Sequence, residues 1–170
     1  MWLTHRDLQN AEPLAPMLGK ALLVCQKFEA TCKDIISWLE LTRAVTVDGL
    51  EFLGQDYMSY VDRLHAQLLG RAISTLRAGK DVFKVSATDL SILELAQQAR
   101  NWIVHEGGWG ALFDSSDHDD EVLVSAVEKV ARADLLVSQW SYAFHEKDPP
   151  PWMPEEVYVA TIVTWLRGNA

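Results

Sequence analysis

Apolar residues recur at three- and four-residue steps over four long blocks of this chain, and a bundle of helices is the natural way to bury such stripes. The first block runs through Leu14, Met17, Leu18, Ala21, Leu22, Cys25, Phe28, Cys32, Ile35, Ile36 and Leu39, and predicts a helix reaching about Leu41. Residues 45–54 read as a loop. Val61, Leu64, Leu68, Ala72 and Leu76 predict a second helix, with Gly79 after Arg77 as its stop. A third begins after Ser86, whose hydroxyl can cap the free amides while Asp89 reaches back, and continues to Gly107-Gly108. A fourth carries Leu123, Val127, Val130, Ala133, Val137, Trp140 and Phe144, and must end before Asp148-Pro149-Pro150-Pro151. In the last segment Pro154, Glu155 and Glu156 suit a helix start and Gly168 a helix end. The β-branched and aromatic run from Val157 to Trp165 leaves a strand open there; a helix is the expectation. With 170 residues and 49% apolar content, the chain can bury one core. The fold expected is an all-α, up-and-down bundle of four to five helices, forming one domain over residues 1–170.

Several classes of function fall away. The opening Met1-Trp2-Leu3-Thr4-His5-Arg6-Asp7 has charges where a signal peptide needs its apolar centre, and no stretch reaches membrane-spanning length. A cytoplasmic protein with no membrane partner is expected. Cys25 and Cys32, seven residues apart within a helical stripe, read as core thiols and not as a bridge or a zinc site. The formal charge of −9 opposes broad attraction to nucleic acid, so any RNA site must be local. Positive charge is concentrated at Arg63, Arg71, Arg77, Lys80 and Lys84; Asp114, Asp117, Asp119, Asp120 and Glu121 crowd a later loop. That acidic run lacks the glycine and glutamate spacing of a calcium loop and reads as a solvated helix start. His65 and His145 read as structural. Trp38, Trp102, Trp140 and Trp165 fit core positions, whereas Trp109 and Trp152 fall in loops where they can anchor a partner. No cofactor or metal site is expected.

The third helix carries the chemistry. At about 100° per residue, Ile92, Leu95, Ala96, Ala99, Trp102 and Ile103 form a core stripe, and Glu94, Gln97, Gln98, Asn101 and His105 the polar face. Leu93, Arg100 and Val104 lie beside the stripe and widen the apolar arc, which predicts a second contact surface on Arg100's side. Asn101 and His105 are neighbours at a spacing of four. Arg100 precedes His105 by five residues, roughly 7.5 Å along the axis and about 140° around it. One helix cannot aim both at one phosphate, but two copies about a two-fold axis can, so a homodimer is expected.

Arg100-Asn101-Trp102-Ile103-Val104-His105 resembles the arginine, polar residue, variable positions, histidine signature of HEPN domains. The helix order over most of the chain is similar too, although the residue-level match is confined to Arg100, Asn101 and His105. The resemblance implies a compact helical bundle, commonly dimeric, with the motif on an inner helix at the subunit interface. It further implies metal-independent cleavage of RNA to 2′,3′-cyclic phosphate ends, with Arg100 holding the scissile phosphate, His105 moving protons and Asn101 orienting the imidazole or binding the sugar-phosphate. A toxin or defence role, with an antitoxin partner such as a minimal nucleotidyltransferase, follows from the family alone. The alternative is a catalytically silent HEPN-like module that binds a partner protein or nucleotide. In that reading His105 satisfies the last carbonyls of its helix and Arg100 pairs with a carboxylate.

Overall fold

The computed structural model describes residues 5, 9, 11–108, 120–146 and 153–168, which form helices and their connecting turns with no strand among them. Seven helices are defined within the described residues: α1 Ala15–Thr46, α2 Gln55–His65, α3 Leu69–Ala78, α4 Lys80–Phe83, α5 Ala87–His105, α6 Asp120–His145 and α7 Glu155–Leu166. No helix among them is long and apolar enough to cross a membrane. Four helices make the bundle. α6 packs against α1, α5 and α7, and α1 also meets α5 and α7.

Pairs of contacts fix the helix directions. Lys27 meets Asp134 while Trp38 meets Phe144, so α1 and α6 run the same way. Glu29 meets Arg100 while a Cβ on Gly107 would lie against Leu18, so α1 and α5 run oppositely. Arg132–Glu155 and Arg167–Glu121 set α7 against α6. The four therefore alternate in direction along the chain, and α2 to α4 form an excursion between the first and second of them.

Local sequence explains most of the boundaries. The amide of Asp89 donates to Ser86 Oγ at 3.0 Å and the amide of Ser86 to Asp89 Oδ2 at 3.3 Å, a complete capping box that starts α5. Gly79 ends α3. The last segment is a helix, because its β-branched residues lie on a turn that buries Val159 and Leu166. The first helix runs past Leu41 to Thr46, since Leu41 and Ala44 still find apolar cover there.

One expected helix is two. A single helix over 61–76 would carry Leu68 inward with Leu64 and Ala72, but the chain breaks at residues 66–68 and Leu68 is 77% exposed. The reason is that the stripe serves two cores. Tyr57 and Leu64 join Leu41 in a small cluster, whereas Leu69, Ala72, Ile73 and Leu76 enter the main core. Trp38 is likewise not a core residue: it is exposed on the surface against the rings of Phe144 and His145. Trp102, Trp140 and Trp165 are half-buried against the main core.

Cys25 and Cys32 are buried and unbridged in that core. Burial pushes the Cys25 thiol up to about 11, against a smaller lowering by Arg100, and pushes Cys32 up to about 12. Folded-state values above the unfolded 9.0 mean that the thiols' contribution is intact below about pH 9 and is lost as pH rises through 11 to 12. Replacing both cysteines with alanine should therefore flatten the alkaline loss of stability in urea titrations at successive pH values. An unchanged alkaline slope would contradict this.

Asp134, 2% exposed, lies on the α6 stripe between Val130 and Val137. It accepts from Lys27 Nζ at 2.7 Å and from the Tyr158 hydroxyl, while Lys27 also reaches Ser138. Burial, followed by the bond to Asp134, raises the Tyr158 pKa. The cluster ties α1, α6 and α7 together. Tyr158→Phe should lower the unfolding free energy by about 1 kcal/mol, and Lys27→Met, which leaves the buried Asp134 carboxylate without its cation, by about 3 kcal/mol. Denaturant midpoints of the two variants check both values.

Candidate functional site

The α5 register is rotated from the expected one. Leu90, Leu93, Ala96, Ala99 and Ile103 are buried, Leu93 completely, whereas Leu95 is 47% exposed. Leu93 therefore belongs to the core and cannot line a second interface, and Leu95 leaves the core stripe. The cause is the packing of α5 between α6 on one side and α1 with α3 on the other. Val104 does keep its exposed place beside Arg100.

Arg100 lies seven residues after Leu93 and three before Ile103, on the edge of the buried line. Its guanidinium is met from α1 by Glu29, with Nη2 2.5 Å from Oε2. Nη1 donates to Asn101 Oδ1 at 3.1 Å, and Nε is buried without a partner among the described residues. The two side chains of the ion pair are 24% and 23% exposed. Sequence reasoning missed Glu29. The available signal was an acid four residues after Cys25 and three before Cys32, a position on the buried stripe that calls for a cation. The same logic applies to Glu40, which is buried beside Arg43 at 3.2 Å, and to Asp134.

Asn101 and His105 are exposed, one turn apart, on the outer side of α5. Arg100 is thus brought together with Asn101 and Glu29 but not with His105, which lies about 140° around the helix. Within one chain the motif offers a fixed cation on one flank and an accessible imidazole on another.

Glu29 also lines a groove of about 400 Å³ with Gln26, Lys33, Asp34 and His65. His65 is exposed there and is not a packed structural histidine. His145 meets Trp38 edge-on at 5.8 Å. On the other side of α5, Leu95, Gln98 and Trp102 face Val122 and Lys129 across a groove of about 490 Å³. Among the described residues no group of three or more His, Cys, Asp or Glu side chains could hold a metal ion. Asp120 and Glu121 form the first turn of α6; the rest of the acidic run, Trp109 and Trp152 lie outside the described residues. No protein-family model matches the sequence, and no curated protein or solved structure is similar to it at a significant level.

The ion pair has a measurable consequence for folding. Arg100→Ala would strand Glu29 half-buried, so the residue is not free to change without cost to the bundle. Single and double variants at Glu29→Gln and Arg100→Ala should give a coupling energy of about 1 kcal/mol in urea titrations. Additive effects would show that the pair contributes nothing to the α1–α5 seam.

Proposed function

We propose that this protein is a metal-independent endoribonuclease of the HEPN type, working as a two-fold homodimer. The observation that supports it is the fixed, half-buried Arg100, held by Glu29 and Asn101, on the same helix as the exposed His105. A guanidinium held in place is organised in advance for a phosphate, and its remaining donors suit the charge that grows during in-line attack. Histidine exchanges protons near neutral pH, and an exposed one can reach a ribose. In the reaction the 2′-oxygen bonds to phosphorus and the bond from phosphorus to the 5′-oxygen breaks. An imidazole takes the 2′-hydroxyl proton, and the leaving oxygen is protonated by an acid such as the second imidazole of the dimer. The products are a 2′,3′-cyclic phosphate and a 5′-hydroxyl.

The divergence of Arg100 and His105 on one helix makes the dimer part of the proposal, because a second copy across a two-fold axis can supply the missing group. Exposed Val104 beside Arg100 suits burial in such a contact. A growth-inhibiting or defence role, with an antitoxin such as a minimal nucleotidyltransferase, is the biological setting that goes with this reading.

One observation favours a second reading. Glu29 already neutralises Arg100, and the adjoining groove of about 400 Å³ is large enough for part of a ligand, as in a silent module that binds a partner protein or nucleotide.

Purified protein incubated with cellular RNA in excess chelator should produce cyclic-phosphate ends, and Arg100→Ala or His105→Ala should each abolish them. Mixing the two variants should restore activity if each site draws its groups from both subunits. A wild-type protein that leaves RNA intact, or one that light scattering shows to be a monomer at micromolar concentration, would remove this reading in favour of the silent module.

A further inference from the structure

The break between α2 and α3 opens a groove of about 510 Å³ lined by Tyr60, Arg63, Gln67, Leu68, Arg71 and Thr75, with Glu40 at its base. Its charges do not balance internally. Glu40 is engaged by Arg43 at 3.2 Å and by the Tyr60 hydroxyl at 3.4 Å. Among the described residues neither Arg63 nor Arg71 forms a salt bridge. Both are exposed, and the Arg63 guanidinium stands over the Tyr60 ring at 5.4 Å from its centre. Two arginines lining one groove with a single, already engaged carboxylate leave a local excess of positive charge that favours an added anion. Among the described residues Glu40 is the one acid lining the groove, and it is already engaged by Arg43.

The helix that brings Arg71 and Thr75 to the groove, α3, packs against the motif helix. Gly70, next to Arg71, lies so close to α5 that a Cβ there would stand 2.6 Å from Gln97 Nε2. Gln97 precedes Asn101 by one turn and His105 by two, so a polar flank runs down α5 from its contact with Gly70 of α3 to the motif, roughly 12 Å along the axis. That length suits a short run of nucleotides.

We infer that this groove is a backbone-phosphate subsite for single-stranded RNA, with Arg63 and Arg71 holding phosphate and Tyr60 offering a ring on which a base can stack. The choice of RNA as occupant rests on the nuclease reading above. Binding is measured separately from cleavage, so either can fail alone.

Fluorescence anisotropy with a labelled single-stranded RNA of mixed sequence, in a His105→Ala background that cannot cut it, tests the subsite. Arg63→Gln/Arg71→Gln should weaken binding by about tenfold at 0.1 M salt and reduce the slope of log K against log salt by about 1.4, the value for two lost phosphate contacts. Arg63→Lys/Arg71→Lys should keep most of both, since the charge remains, and circular dichroism should report the same helix content for every variant. Absence of RNA binding, or a glutamine pair with unchanged affinity and slope, would overturn the subsite even if the wild type cleaves. Binding that shows the expected losses in a protein that never cleaves would uphold the subsite and overturn the nuclease instead.

Discussion

Two charges on α1, only two residues apart, set the register of the bundle. Lys27 and Glu29 lie about 200° apart around the helix and so face opposite flanks. Asp134 on α6 answers the first, with Tyr158 of α7 beside it, and Arg100 on α5 answers the second. Each acid sits at a stripe position that an apolar residue would otherwise fill, so a slip of α5 or α6 along α1 would bury a carboxylate without its cation. Apolar stripes alone tolerate such a slip, whereas a misplaced buried charge does not. Specificity of alignment, more than raw stability, is what these pairs contribute.

The motif helix inherits its geometry from this arrangement. Arg100 is both a packing element of the α1–α5 seam and the cation of the proposed site, so the requirements of folding and of chemistry act on one side chain. His105 carries no such double duty, and it stands exposed, outside the core. This division accounts for a motif whose two key groups point apart: the arginine is directed by Glu29, and the histidine by the turn of the helix alone.

Much of the fold could be read from the chain because period and punctuation agree. The capping box at Ser86 and Asp89, the stop at Gly79 and the stripe from Leu123 to Val137 each state a boundary or a face locally. What could not be read depends on partners distant in sequence. The break at residues 66–68 follows from which of two cores each side chain joins, and the rotated face of α5, with Leu93 inside and Leu95 outside, from where α3 and α6 press on it. Arg100, Asn101 and His105 were visible as a pattern, but Glu29 lies 71 positions from Arg100, and no local rule joins them.

The length of α1 has a further consequence. At 32 residues it spans about 48 Å, well beyond the roughly 28 Å of α5, so its C-terminal part projects past the main core. That overhang carries a core of its own, in which Leu41, Tyr57 and Leu64 are the only buried members described. So small a cluster buries little apolar surface, and α2 is therefore expected to open more readily than the main body. Its amides should exchange with solvent through such local opening, and those in the middle of α6 only when the whole bundle comes apart. One continuous helix thus serves two cores at once, the main one at Phe28 and the small one at Leu41.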